Sequence, residues 1–434
     1  MTSHTKGIVI IMKTKYDVIV VGGGFAGSFA AIEAARHGAD VLLIEKFNCL
    51  CGAPAFALVS PFMGYRTTMP NGERENLAGD LFLEIVEEAK KIAGTPAPPT
   101  AASPTLFDEE ALKLVLVRRA LAGGVKLLFN TTVISAEVEE GTVRSITAIC
   151  KAVKMEFQAD TFIDATGDAE LSALAGCRCD VGRSEDGLCQ PMTLCFRVGG
   201  VDKEKYLKIK PEVNKIYNEW QKAGKIKNPR ENVLSFPNYN DGVIHFNTTR
   251  VVRKSPTDPF AITEAEVEAR EQVYEMMDFL REAVDGFQNA RLLSTPLQIG
   301  IRESRRVIGD YVLSEEDLVA LSRFDDAIAV SNYAIDIHNP NGTGTVLREF
   351  GAGEWYEIPY RCLTPLGMNN LLVAGRCISS THEAQASYRI MPFCAELGQA
   401  AGCAAAHAKK SGKTVREVNI GEVREILRSE GFAI

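Results

Sequence analysis

The chain has no N-terminal apolar run suited to a membrane or a secretory leader. Ile8 to Met12 is five residues long and no small-residue cleavage site follows it, so a cytoplasmic protein with no membrane partner is expected. Positive charge is also in short supply. Acidic residues outnumber basic ones 56 to 48, which leaves a net charge of −8 and no basic footprint for nucleic acid. Neither a G-x-x-x-x-G-K-S/T phosphate loop, nor an H-E-x-x-H zinc helix, nor a G-x-S-x-G elbow occurs, and kinase and hydrolase chemistry drop out. The 11 cysteines are odd in number, scattered and mostly set in apolar sequence. Cys49 with Cys51 and Cys177 with Cys179 lack the C-x-x-C spacing, so buried, reduced thiols are the expectation.

What is present is ordinary in bulk. Hydrophobic residues make up 46% and charged residues 24% of 434, the balance of a globular protein large enough for two or more structural domains. Met12 precedes the first strand directly, so residues 1–11 read as an extension upstream of the fold.

Tyr16 to Val21 is a short β-branched run stopped by three glycines, as in a buried parallel strand. An alanine-rich helix from Ser28 to His37 follows, with Gly38 as its stop. Asp40 to Ile44 then supplies a second strand. Helical spacing recurs over Leu81–Ile92 and Asp108–Ala122, separated by a proline-rich break from Thr95 to Pro104. A strand at Val125–Phe129, a meander (Thr132–Val138, Val143–Cys150, Lys154–Phe157) and a further apolar strand at Thr161–Asp164 complete this part. From about residue 177 the character changes to long amphipathic helices, Lys203–Lys222 and Thr263–Phe287, with isolated strands such as Gly242–Phe246. The earlier pattern returns with Leu371–Ala374, Gly375 and a small-residue helix from Pro392 to Lys409. The fold class expected is α/β: a Rossmann-type domain from residues 13–176 and 358–434, interrupted by an α+β substrate domain at 177–357.

Gly22-Gly23-Gly24-Phe25-Ala26-Gly27 matches G-x-G-x-x-G directly after a strand and at the opening of a helix. Gly22 permits the tight turn, Gly24 lets backbone approach a pyrophosphate and Gly27 lets helix and strand pack closely. Phosphate charge would then face the free N–H groups of the helix start. Glu45, 18 residues beyond Gly27, can accept hydrogen bonds from ribose hydroxyls. The unit alone does not choose between NAD and FAD.

Later stretches resemble the FAD-dependent oxidoreductases with a glutathione-reductase-type flavin fold. These are Phe162-Ile163-Asp164-Ala165-Thr166-Gly167-Asp168, Gln190-Pro191-Met192-Thr193, Ile301 to Arg306, Asp336 to Pro340 and, most specifically, Leu372 to Ala384. The resemblance implies FAD, with Phe25 and Ala26 in the glycine loop and Glu45 and Lys46 near the adenosine. It sets the Val133 backbone at adenine, Thr166, Gly167, Gly375 and Arg376 beside the diphosphate and ribityl chain, and Met391 at the cofactor. Cys51-Gly52 stands where the family usually shows a Gly-Gly pair, a departure that bears on the adjoining loop.

Pro392 suits a first helical position, and the N-terminus it opens could stabilise negative charge on the flavin or simply belong to a tightly packed core helix. For the reacting molecule the candidates are His338 and His382 as proton relays, and Arg389 and Arg302 as carboxylate ligands. Arg302 is set in a mixed-charge stretch that reads equally as the start of a helix carrying surface ion pairs. With one dinucleotide fingerprint, the electron donor or acceptor is expected to be separate, alongside a small-molecule substrate. An electron-transfer subunit of a larger complex and an NAD-dependent dehydrogenase stand as alternatives.

Overall fold

The computed structural model describes residues 13–94 and 105–434, so the upstream extension and the break from Thr95 to Pro104 lie outside the described residues. The opening unit forms as its pattern requires. Strand Lys15–Val21 leads through the glycines into helix Phe25–Arg36 and then strand Val41–Ile44. The helix starts three residues earlier than its alanine-rich stretch suggests because Gly24, extended at φ −67° and ψ −171°, serves as its N-cap. These strands belong to a seven-stranded sheet, flanked on one side by Lys126–Leu128 and on the other by Val153–Asp164.

Strand Val153–Asp164 is a single element, where two separate strands were expected at Lys154–Phe157 and Thr161–Asp164. Its first half pairs antiparallel with Thr142–Cys150, and its second half runs parallel to Lys15–Val21 and to Leu371–Val373. Half-exposed at one end and wholly buried at the other, it changes hydrophobic pattern where it changes partners. Register then aligns four strand ends: Val21 pairs with both Ile44 and Asp164, and Asp164 pairs with Val373. The loops after all four strands therefore open along one edge of the sheet, the usual binding edge of a doubly wound fold.

The helix Met391–Ser411 lies against Phe25–Arg36 with almost no space between backbones. A Cβ on Gly398 would fall 2.0 Å from the Ala26 carbonyl oxygen, and one on Gly402 2.2 Å from that of Ala30. Pro392 occupies the second helical position, after Met391, one place later than expected.

A four-stranded antiparallel sheet (order Ser235–Pro237, Ile244–Phe246, Phe196–Gly199, Arg291–Ser294) packs with helices Lys203–Lys222 and Pro259–Ala283. Its core, including Phe196, Tyr217, Phe246 and Phe279, draws on residues 192–301 alone. Residues from Val307 to Ile378 pack into the core around the parallel sheet instead. The second long helix begins and ends four residues before the expected Thr263–Phe287. Asp258 caps it by accepting from the Phe260 and Ala261 amides, Pro259 fills the first position, and Val284 turns extended.

Candidate active site

One deep cleft opens at the aligned strand ends and encloses about 1740 Å³ including its mouth. The glycine loop lines it through Gly22, Gly24, Phe25 and Ala26. Glycine is required at Gly22 and Gly27 for steric reasons. Gly22 has φ +99° and a Cβ there would sit 2.5 Å from the Ala165 carbonyl oxygen, whereas one on Gly27 would sit 1.8 Å from the Gly22 oxygen. Gly24 differs, since a Cβ there meets nothing closer than the Gly52 Cα at 3.8 Å. Its missing side chain leaves open cleft, which is the space a pyrophosphate needs at a helix start. Gly27 does not itself line the cleft; its part is packing.

Glu45 follows the second strand directly at the cleft wall, buried, and accepts hydrogen bonds from the Gly23 and Phe47 amides, the latter at 2.9 Å. Burial outweighs those bonds and holds its carboxyl above the ordinary carboxylate range. Lys46 lines the wall beside it and pairs with Glu170 at 3.0 Å. Thr131, Thr132 and Val133 also line the cleft.

Thr166 and Gly167 line the next stretch, together with Asp168, which no role was assigned from sequence although it ends the same motif. Asp168 accepts from Ser304 Oγ at 2.6 Å and pairs with Arg376. Burial alone would raise its carboxyl, yet Arg376 and Ser304 hold it below its usual value. Arg376 also donates to the Gly167 and Ile301 carbonyls, each at 2.6 Å. It ties the two later motifs to the loop before Arg302, so its guanidinium is a scaffold for the wall. Gly375, at φ +87° and with a Cβ position 2.9 Å from Ala26 Cβ, allows this crossing.

Cys51, the departure from the Gly-Gly pair, keeps a glycine-like backbone at φ +108°, is fully buried, and donates its amide to the Gly23 carbonyl at 3.0 Å. Gly52 sits across from Gly24 and lines the cleft, so the loop follows a path the two glycines would also allow. Burial pushes the Cys177 and Cys179 thiols up to about 12 and about 11, which makes them poor nucleophiles at neutral pH.

The far end is lined by Thr193, Cys195, Asn247, Gln298, Gly300, Ile301 and Arg302 from the middle of the chain, with Arg389, Ile390, Met391 and Cys394 at the start of the C-terminal helix. Arg302 is not on a helix. It lies in an irregular stretch before strand Arg305–Val307, and donates to the Pro191 carbonyl, Thr193 Oγ1 and, at 3.3 Å, Asn247 Oδ1. Burial, then Arg230 and Arg389, bring its guanidinium down to about 9.

The two candidate histidines are not among the cleft-lining residues. His382 is buried with Nδ1 2.8 Å from Glu303, which also pairs with Arg306 and accepts from the Gln190 amide at 2.8 Å. His338 is held between Arg250, 3.1 Å from Nδ1, and Asp336, 3.5 Å from Nε2. Burial and then Arg302 lower His338 to about 3, so it is neutral at physiological pH. Sequence reasoning missed Asn247, Gln298 and Thr193 as cleft residues, because only tertiary packing brings those separate loop segments to the sheet edge.

A glycine loop opening a helix at the carboxyl edge of a parallel sheet, and a cleft running on from it between two further motifs, define a dinucleotide-binding protein of Rossmann type. The family model described as FAD dependent oxidoreductase matches residues 17–427. The chain belongs to the FAD dependent oxidoreductase family, FAD is its cofactor, and the NAD-dependent dehydrogenase alternative falls away.

Among curated proteins, a digeranylgeranylglycerophospholipid reductase 1 of Methanococcoides burtonii is 26% identical over 196 residues, 44% of this chain and 46% of that protein. A vinyl phenol reductase of Lactiplantibacillus plantarum is 68% identical over 31 residues, 7% of this chain and 6% of that protein. The chain thus matches less than half the length of either. A geranylgeranyl bacteriochlorophyll reductase-like protein of Thermoplasma acidophilum has a solved structure similar at TM-score 0.48 and 13% identity, covering 96% of this chain and 84% of that one.

Proposed function

We propose that the protein is an FAD-dependent enzyme that transfers a hydride between the flavin and a small organic molecule bound at the far end of the cleft. The observation that carries this reading is the single cleft in which the open face of Gly24, Glu45 and the later motifs meet Arg302 and Arg389. Bound FAD supplies the hydride-accepting and hydride-donating chemistry there. The chain's own residues do the rest. Gly22, Gly24, Phe25 and Ala26 with the first helix N-terminus hold the diphosphate, and Glu45 accepts from ribose. Lys46 and the Val133 backbone border the adenosine, and Thr166, Gly167, Gly375, Arg376 and Met391 shape the stretch that continues towards the reacting end.

Arg302 and Arg389 are the groups that touch substrate in this proposal. His338 acts as a positioning residue through Asp336, which pairs with Arg389, whereas His382 pairs with Glu303 away from the cleft lining. The chain divides into a nucleotide-binding part (13–176 and 358–434) and a substrate part (177–357), with the independent core of the latter confined to residues 192–301. The cleft holds one dinucleotide loop, so electrons enter or leave by a separate partner. No helix among the described residues is long and apolar enough to cross a membrane, and a cytoplasmic location is part of the proposal. Anaerobic mixing of the loaded enzyme with NADH, NADPH and dithionite in turn tests it. Bleaching by dithionite with slow or no direct reduction by either nicotinamide is expected; flavin that dithionite cannot reduce would overturn the reading.

A further inference from the structure

Positive charge is concentrated at the far end of the cleft beyond what the protein neutralises. Arg389 lines the wall, and among the described residues its guanidinium meets only Asp336, with Nη2 3.4 Å from the carbonyl oxygen and 3.6 Å from the carboxylate. Its Nε–H is buried and has no acceptor among the described residues. Arg302 lines the same wall and spends its guanidinium on neutral acceptors only. Behind them Arg230 is 4% exposed, with its Nε on the Asn232 side chain. Arg250, 1% exposed, is paired with Glu231 at 2.9 Å. Asp336 and Glu231 are the carboxylates facing these four guanidiniums, and His338, held between Arg250 and Asp336, is neutral.

A buried cation without a counter-ion is costly, and a buried N–H without an acceptor adds to that cost. The two excess charges and the unpartnered Arg389 donor thus describe one half of an interaction. FAD's own phosphates have their donors elsewhere, at the glycine loop and the first helix N-terminus. Beside the polar Thr193, Asn247 and Gln298, the cleft here also carries apolar surface from Met63, Ile301, Ile390 and Met391. We infer that the substrate is an organic acid with an apolar body, whose carboxylate is received by Arg389 and faces Arg302 at the inner end of the cleft. This rests on the function proposed above and specifies the substrate class of that same site. A guanidinium fork receives a carboxylate or a phosphate bidentately, so inorganic phosphate is the competing anion in the test.

The test uses FAD-loaded protein, with benzoate, benzamide and inorganic phosphate titrated by calorimetry while flavin absorbance is followed. Expected are saturable benzoate binding with a change in the flavin spectrum, and binding of benzamide and phosphate at least about tenfold weaker. Arg389→Gln should keep full FAD content and lose at least about tenfold in benzoate affinity, with Arg389→Lys between the two. Equal binding of benzamide, preferred binding of phosphate, or no benzoate binding by a flavin-loaded protein would overturn the inference. Loss of FAD together with benzoate in Arg389→Gln would also overturn it, because the guanidinium would then serve the cofactor. A protein that takes up no FAD defeats the functional reading instead, and calorimetry with benzoate still reads the arginine site on its own.

Discussion

Replacing Gly24 by valine should remove FAD and leave the protein folded, while replacing Gly27 by alanine should damage the fold itself. Both glycines belong to one hexapeptide, but their surroundings differ. At Gly24 a new Cβ meets only the Gly52 Cα at 3.8 Å, an ordinary contact, and the backbone has φ −67°, which any residue adopts. The apo protein should therefore lose less than about 1 kcal/mol, as at most exposed positions. The added methyls instead fill the approach to the pyrophosphate. A ligand at a hundred times its dissociation constant stabilises by about 2.7 kcal/mol, and at roughly 1 °C per kcal/mol for a chain of this length FAD should raise the wild-type melting temperature by about 3 °C. Gly24→Val should show none of that rise. At Gly27 the new Cβ would lie 1.8 Å from the backbone oxygen of Gly22, so strand and helix must separate, at a cost of about 3 kcal/mol or more with or without FAD. Thermal scans of both apo proteins with added FAD check this. An FAD-dependent rise in Gly24→Val equal to wild type would refute the placement of the diphosphate.

Three further outcomes follow from the same packing. Gly398→Ala should destabilise the protein by about 3 kcal/mol or more in urea unfolding, because its Cβ would lie 2.0 Å from the Ala26 oxygen; a cost under about 1 kcal/mol would mean the two helices slide apart freely. At Cys51, with φ +108°, alanine keeps the backbone strain that glycine releases, so Cys51→Gly should be at least as stable as Cys51→Ala despite the usual glycine penalty of about 0.5–1 kcal/mol, and the reverse order in denaturant midpoints would contradict the strained turn. Hydrogen bonds to Glu33 and Glu430 raise His37 from 6.5 to about 9, so the stability this pairing provides is complete below about pH 6.5 and is lost as pH rises through 9. Urea midpoints should fall over that window in the wild type and fall less in His37→Gln.

The β-α-β unit was legible because its signals are local: an apolar strand, glycines, a helix and an acid follow within thirty residues. Helix Lys203–Lys222 was legible to the residue, with Asp202 accepting from the Lys205 amide as its cap. Strand Val153–Asp164 was less so, because one element serves an antiparallel ladder and then a parallel one, and its pattern changes at the join. Arg302 was misplaced on a helix because charge spacing says nothing about pairing, and Arg305–Val307 pairs instead with Cys179–Val181, far away in sequence. The cofactor half of the cleft could be read as motifs. Its far end is assembled from separate segments around Thr193, Asn247, Ile301 and Arg389, so which histidines and arginines reach the cleft depends on packing alone.

The central claim is that this cleft holds FAD, and the most direct measurement is the absorption spectrum of the purified protein after reconstitution, with the released cofactor identified and counted. One FAD per chain, bleached by dithionite without air and restored by oxygen, is the predicted result. A colourless protein that takes up no FAD from solution would contradict it.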